Sequence, residues 1–159
     1  MQCLPVAKLP EGSNWEYEVK FDGYRALGIK SGGRVRLMSR NENDLAGRSP
    51  ILRQALTELP DETSIDGELV ALDETGRPSF NVLQNYRHAG TPLQFYAFDV
   101  LTLAGRSLQN EPLEERRKVL RTKVIPRLPD SVLFSESLDA TASEVTEAVT
   151  AQGLVGVIA

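Results

Sequence analysis

Residues 15–27, WEYEVKFDGYRAL, place Lys20 and Arg25 on either side of the turn dipeptide Asp22-Gly23. Apolar and charged residues alternate before the turn, which predicts a half-buried strand. Side chains two residues apart on a strand share a face and lie about 7 Å apart, so Glu18 and Lys20 project together. A neutral lysine amine is a nucleophile, and a nearby cation favours the neutral form. The same pattern is consistent with a solvent-facing hairpin that carries an ordinary ion pair.

Three later segments also contain charged or aromatic residues. Arg40 lies in an SRN tripeptide, Glu68 ends a DGE tripeptide, and Phe98 lies in the apolar segment FYAFDVL. Each has a structural interpretation: a hairpin charge, an acid at the start of a strand, and a core aromatic.

The elements that must position these residues alternate between strands and helices without regular βαβ repetition. The pattern predicts a strand to residue 21, hairpins over 24–40 and 63–79, strands at 93–103, 132–138 and 154–159, and helices at 49–60, 80–87, 112–128 and 142–153. Ser49 is the expected cap and Pro50 the first residue of the first helix. We therefore predict the α+β class, with antiparallel sheets flanked by helices.

Within the first predicted strand, one face should be apolar. Trp15, Tyr17, Val19 and Phe21 alternate with the charged residues and are expected to face a core. The charged face, which carries Lys20, would then look toward solvent or into a cleft.

Length and composition are typical of a globular protein. The chain has 159 residues, with 41% hydrophobic and 25% charged residues, enough for one domain with a core. No apolar run is long enough to span a membrane, and the prolines near the N-terminus argue against a signal peptide, so we expect cytoplasmic residence. The single cysteine, Cys3, excludes an internal disulfide and a cysteine-based zinc site. His88, the single histidine, is predicted to lie in a loop.

Charge is distributed unevenly along the chain. The net charge is −4, but residues 20–53 hold eight basic and three acidic residues, a local charge of +5 that leaves −9 elsewhere. The basic residues are Lys20, Arg25, Lys30, Arg34, Arg36, Arg40, Arg48 and Arg53. Binding responds to local potential, so this segment could contact phosphates, although solvated hairpin charges would look the same.

Several of these segments together resemble one family. KFDGYR, residues 20–25, resembles the lysine motif K-x-D-G-x-R of ATP-dependent DNA ligases and related nucleotidyltransferases. SRN, DGE and FYAFDVL resemble the motif after the first hairpin, the third motif and the aromatic motif IIIa, and GLVGVIA at 153–159 resembles the start of motif IV. The matches occur in family order over nearly the whole chain and are most similar to bacterial end-joining ligases. RNA ligases share the lysine motif, so an RNA end is the alternative substrate.

The resemblance implies an adenylation domain over residues 1–159 with the nucleotidyltransferase fold, acting in DNA repair and recombination. Lys20 would attack the α-phosphate of ATP and hold AMP, which then passes to a DNA 5′-phosphate for nick sealing. Glu18 would contact the adenine edge and Arg25 the ribose or phosphates. The implied cofactors are ATP and Mg²⁺ or Mn²⁺, and the implied partner is nicked or broken double-stranded DNA.

Three further roles follow from the resemblance in the same way. Arg40 would contact nucleotide or nick phosphate. Glu68 would accept a hydrogen bond from the ribose hydroxyl or help to organise the metal ion, although no metal ligand is assigned. Phe98 would stack on the adenine.

The sequence departs from the family pattern at motif IV, which reads E-G-x-x-A-K in the family. Val155 stands where the glutamate is expected, and the sequence ends before the motif's lysine, motif V and the OB-fold domain. Because valine cannot bind a cation, we expect a truncated domain with weak or absent self-adenylation. The alternative is a degenerate fragment that binds ATP or DNA without catalysis.

Overall fold

The computed structural model describes residues 3–86 and 92–159, apart from the side chain of Arg48. The predicted loop residue His88 lies outside these ranges. Within them, no helix combines the length and apolar character needed to cross a membrane. The chain divides into two compact units, the first formed by residues 1–22 and 135–159 and the second by residues 23–134.

Both units combine helices with sheets, which confirms the predicted α+β class. The strands are β1 (Tyr17–Lys20), β2 (Tyr24–Ser31), β3 (Arg34–Ser39), β4 (Thr63–Ala71), β5 (Leu93–Leu103), β6 (Arg106–Ser107), β7 (Val132–Phe134), β8 (Ser137–Leu138) and β9 (Gly156–Ile158). The α-helices are α1 (Pro50–Leu56), α2 (Phe80–Gln84), α3 (Leu113–Val119) and α4 (Ala142–Ala151), with 3₁₀ turns at Ala46–Arg48 and Ile125–Arg127 and a π-helical segment at Leu120–Val124.

The first unit contains the antiparallel sheet β8-β1-β9 and the helix α4. Tyr17 is buried and packs with Val145 and Val149 of α4. The predicted apolar face is therefore confirmed at Tyr17, but Trp15 is 47% exposed, contrary to expectation. Trp15 precedes the first residue of β1, so the strand alternation that would turn its ring inward has not yet begun.

The second unit is built on a sheet of order β3-β2-β4-β5-β6, in which these neighbours are antiparallel and β7 pairs in parallel with β5. The predicted hairpin of β2 and β3 is confirmed. Gly32 and Gly33 form its turn with φ of 55° and 71°, a left-handed conformation that glycine adopts without a steric penalty.

Helix α1 covers one face of this sheet. The Ser49 hydroxyl accepts a hydrogen bond from the backbone N–H of Leu52, and Pro50 follows it, as the sequence predicts. Leu52 and Leu56 are fully buried, and Leu56 lies against the position of Gly28 on β2. This face is the core of the second unit, so the functional side chains of β2, β4 and β5 must lie on the other face.

Several predicted elements are interrupted in the structure. The strand predicted over residues 132–138 is two strands, because β7 pairs with β5 and β8 pairs with β1. The return arm of the second hairpin is reduced to an isolated bridge between Leu72 and Pro78. The helix predicted over residues 112–128 begins as α3 and continues through the π-helical and 3₁₀ segments.

The Asp22-Gly23 turn also differs from a simple hairpin. β1 lies in the first unit's sheet and β2 lies in the second unit's sheet, so the two strands joined by this turn do not pair with each other. A methyl group on Gly23 would lie 2.2 Å from the Leu69 carbonyl oxygen, which explains the need for glycine at this passage.

Candidate active site

Lys20 is the exposed last residue of β1 and lies opposite Gly156 of β9. A methyl group on Gly156 would approach Cδ of Lys20 to 3.7 Å, so the aliphatic part of the lysine side chain lies along the backbone of β9. The strand pairing thus fixes the base of the side chain and leaves Lys20 at the end of the strand, as the sequence predicts. A nucleophile that must reach a phosphate needs this combination of a fixed stem and an exposed position.

Glu18 lies two residues before Lys20 and is half-buried. Its carboxylate accepts a hydrogen bond from the hydroxyl of Ser135 at 2.5 Å, and Ser135 is itself buried. Ser135 was not predicted as a site residue, because the pattern of residues 132–138 indicates one continuous strand. The break between β7 and β8 is the feature that brings this serine to β1.

In the second unit, β2, β4 and β5 bring Arg25, Glu68 and Phe98 together. Arg25 and Glu68 are directly opposite in the register of β2 and β4, and the Arg25 guanidinium carbon lies 5.5 Å from the centroid of the Phe98 ring. We call Arg25, Asp66, Glu68 and Phe98 the Arg25 cluster. A guanidinium, a carboxylate and a half-exposed aromatic ring provide groups for phosphate, hydroxyl and base, respectively.

Asp66 anchors this cluster, a role that the sequence did not assign to it. Its carboxylate accepts two hydrogen bonds from Arg25, from Nε at 3.2 Å and from Nη2 at 2.7 Å, and the residue is 5% exposed. Such a bidentate pair fixes the plane of the guanidinium as well as its charge. The available signal was that Asp66 and Glu68 are two residues apart on one strand and so share a face.

Gly67 separates the two acidic residues of the cluster and faces the core. A methyl group at this position would lie 2.5 Å from the Tyr96 carbonyl oxygen and 2.6 Å from Cζ of Phe95. The middle residue of the DGE motif therefore has to be glycine for β4 and β5 to approach each other as closely as they do.

Phe98 is half-exposed and lies at a β-bulge, not in the core. Asp66 pairs with Asp99 but Gly67 pairs with Ala97, so Phe98 is the additional residue of β5. The bulge lets Ala97 and Val100, three residues apart, both lie fully in the core.

Arg40 follows the last residue of β3 and is exposed. Ser39 pairs with Ala26, the residue after Arg25, so strand register places Arg40 at the same end of the sheet as the Arg25 cluster. Of the other basic residues, Lys30 has a structural role, because its Nζ donates to the Thr57 and Leu59 carbonyl oxygens after α1. The charge of residues 20–53 is therefore only partly available for binding.

Val155 precedes β9 and is 52% exposed. Within the described ranges, no three histidine, cysteine, aspartate or glutamate side chains form a group that could hold a metal ion alone. Mg²⁺ is usually bound by one or two carboxylates together with substrate phosphates and water, so a carboxylate such as Glu68 beside a triphosphate is a suitable donor set.

A family model for the ATP dependent DNA ligase domain matches residues 6–159. The multifunctional non-homologous end joining protein LigD of Pseudomonas aeruginosa is 39% identical over 160 residues, covering 99% of this chain and 19% of that protein. DNA ligase C1 of Mycolicibacterium smegmatis is 36% identical over 174 residues, covering all of this chain and 50% of that protein.

A solved structure of mycobacterial DNA ligase D complexed with ATP and MES is 34% identical, with a TM-score of 0.77, covering 92% of this chain and 48% of that chain. The present chain thus spans between about a fifth and a half of these relatives. The similarity confirms the nucleotidyltransferase fold predicted from the motifs. With the family match over residues 6–159, it shows that the chain belongs to the ATP-dependent DNA ligase family.

Proposed function

We propose that this chain is the adenylation domain of a DNA ligase and that Lys20 is its nucleophile. The observation that carries the proposal is the position of Lys20, exposed at the end of β1 within a K-x-D-G-x-R motif, in a chain of this family. The ATP bound to the mycobacterial relative supports ATP as the nucleotide.

In the proposed first step, the Lys20 amine attacks the α-phosphorus of ATP. A P–N bond forms, the bond from the α-phosphorus to the β-phosphate bridging oxygen breaks, pyrophosphate leaves, and the amine loses a proton to solvent. A DNA 5′-phosphate oxygen then attacks the phosphorus of the bound AMP, the P–N bond breaks, and Lys20 leaves as the free amine. The DNA 3′-hydroxyl finally attacks the 5′-phosphate, forms the phosphodiester bond, displaces AMP and loses its proton to solvent. Mg²⁺ or Mn²⁺ would neutralise charge on the phosphates.

The nucleotide would be recognised mainly by side chains whose positions are already restricted. Arg25, held by Asp66, would contact the ribose or phosphates, and Glu68 opposite it would accept from the ribose hydroxyl or hold the metal ion with the phosphates. Phe98 would stack on adenine, and Glu18, held by Ser135, would contact its edge. Restricting these groups before binding reduces the entropy lost when ATP binds.

The proposed partner is nicked or broken double-stranded DNA, and Arg40 would contact nucleotide or nick phosphate. Support comes from the local charge of +5 in residues 20–53 and from the end-joining function in the name of the Pseudomonas relative. An RNA end is the alternative substrate, and nucleotide binding without catalysis is the alternative activity, which Val155 favours.

The proposal is tested by transfer of label from ATP. Protein incubated with ATP labelled at the α-phosphate should become labelled, and ATP labelled at the γ-phosphate should leave it unlabelled. Added pyrophosphate should remove the label by reversing the step. Incubation of the labelled protein with matched nicked DNA or nicked RNA should show which 5′-phosphate accepts the AMP. Binding of ATP without transfer of label would support the non-catalytic alternative.

A further inference from the structure

We propose that Arg116 and Arg117 of helix α3 are positioning residues for Phe98 and thereby set the affinity for the nucleotide base. This inference rests on the proposed function, in which Phe98 stacks on adenine. The structure turns both arginines toward the bulge in β5.

The bulge is the reason that Phe98 needs support. A residue that is additional to the β4–β5 ladder lacks the regular cross-strand bonding that fixes its neighbours, so its direction depends on other contacts. A stacking ring must keep its plane to gain from a base, and a ring that rotates freely would lose part of that gain.

Arg117 supplies one of these contacts. Its Nη1 donates to the Phe98 carbonyl oxygen at 3.2 Å, and its guanidinium carbon lies 4.9 Å from the centroid of the Phe134 ring. Phe134 belongs to β7 and pairs with Ala97, the residue before Phe98. Arg117 is only 7% exposed, so one buried guanidinium connects the bulge to the neighbouring strand.

Arg116 holds the other residue of the bulge. Its Nε and Nη2 each donate to a carboxylate oxygen of Asp99 at 2.8 Å, and its Nη1 donates to the Glu111 carbonyl oxygen at 2.8 Å. Asp99 raises the pKa of Arg116 above its usual value through this hydrogen bond. The two arginines therefore fix the backbone at Phe98 and the side chain of the residue that follows.

A role in base binding differs from a role in stability in a measurable way. Stacking acts on the base alone, so loss of ring position should weaken binding of ATP and leave binding of inorganic tripolyphosphate unchanged. A variant that merely destabilises the protein should affect both ligands equally. The informative quantity is therefore the ratio of the two dissociation constants, measured by calorimetry with the full chain.

The test compares Arg117→Met and Arg117→Lys with Phe98→Ala. We expect Phe98→Ala to reduce the preference for ATP over tripolyphosphate about 5- to 150-fold, the usual range for one stacked base. Arg117→Met should reduce it about 5-fold or more, and Arg117→Lys, which retains a donor for the carbonyl, should largely restore it. Arg106→Met removes an exposed arginine that pairs with Glu111 and should leave the preference unchanged.

The control for a loss of stability alone is Leu56→Ala, which truncates a core side chain beneath β2. It should affect the binding of both ligands equally and leave the ratio of the two dissociation constants unchanged. If Arg117→Met does not fold, Arg116→Lys carries the test, because an ammonium cannot hold both Asp99 oxygens as a guanidinium does, and the preference should fall. If the folded Arg117→Met or Arg116→Lys protein kept the wild-type preference for ATP over tripolyphosphate, the inference would be overturned and the proposed function would be unaffected. If Phe98→Ala showed the same preference for ATP over tripolyphosphate as the wild type, the proposed role of Phe98 and this inference would both be overturned.

Discussion

Gly67 lies between Asp66 and Glu68, and the approach of β5 leaves room there for a hydrogen atom only. Gly67→Ala should therefore lower the free energy of unfolding by about 1–3 kcal/mol or more, because a backbone oxygen cannot move aside as a flexible side chain can. Urea denaturation measures the change.

The matched control for this substitution is Gly47→Ala. A methyl group on Gly47 meets nothing within 4 Å, and its φ is not in the left-handed region. The free energy of unfolding of Gly47→Ala should equal that of the wild type or exceed it by about 0.4–1 kcal/mol, since alanine restricts the unfolded chain. Equal effects at both positions would contradict the steric account of the DGE motif.

Val155 allows a second prediction about single residues. The side chain is 52% exposed, so Val155→Glu should be tolerated with a stability change within about 0.5 kcal/mol. If a carboxylate at this position helps to hold the metal ion, the substitution should raise the rate of AMP transfer about 10²–10³-fold, the usual effect of one such charge contact. A glutamine at the same position is the control, and an equal rate for glutamine and glutamate would refute the charge argument.

The elements of the first unit have their own pH dependence through the capping box of α4. The Glu144 carboxylate accepts hydrogen bonds from the backbone N–H and hydroxyl of Thr141, and these bonds lower the pKa of Glu144 below its usual value of 4.5. The stabilisation is thus complete above about pH 4.5 and is lost as the pH falls through the lowered pKa of the folded state.

Glu144→Gln should remove this part of the acid dependence, because an amide does not titrate in that range. Thermal unfolding of the two proteins at pH 7 and in steps below pH 4.5 measures the difference. Glu147→Gln, on the same helix, is the control. A wild-type slope that persists in Glu144→Gln would show that other carboxylates cause the acid dependence.

Alternation and capping signals predicted the elements well wherever the interactions are local. The β2–β3 hairpin with its two glycines, the Ser49-Pro50 start of α1 and the helix α4 all depend on residues close together in the sequence. The sequence pattern predicted one strand over residues 132–138, whereas these residues form β7 and β8 in two different sheets. The pattern could not show this, because the strands with which β7 and β8 pair are distant in the chain.

The candidate site shows the same limit. Motif resemblance indicated Lys20, Arg25 and Phe98, but not the groups that hold them. Arg25 pairs with Asp66, which lies 41 positions away in the sequence. At the bulge, Arg116 bonds to Asp99 and Arg117 bonds to Phe98, over separations of 17 and 19 positions. Such pairings follow from strand register and helix placement, which alternation alone does not specify.

The whole molecule has two compact units, and each contains residues that the proposed function uses. The first unit carries Glu18 and Lys20, and the second carries Arg25, Arg40, Glu68 and Phe98. The family match extends over residues from both units, so the proposed adenylation domain includes both. The chemistry assigned to the whole therefore depends most on whether Lys20 receives AMP.

The most direct measurement is intact-protein mass spectrometry after incubation with ATP and Mg²⁺ or Mn²⁺, with peptide mapping of any adduct. We expect a mass increase of one adenylyl group on Lys20 that is absent from Lys20→Ala and from Lys20→Arg, which retains the charge. Lys30→Ala should still form the adduct. An adduct on another residue, or one that persists in both Lys20 variants, would contradict the assignment of the nucleophile.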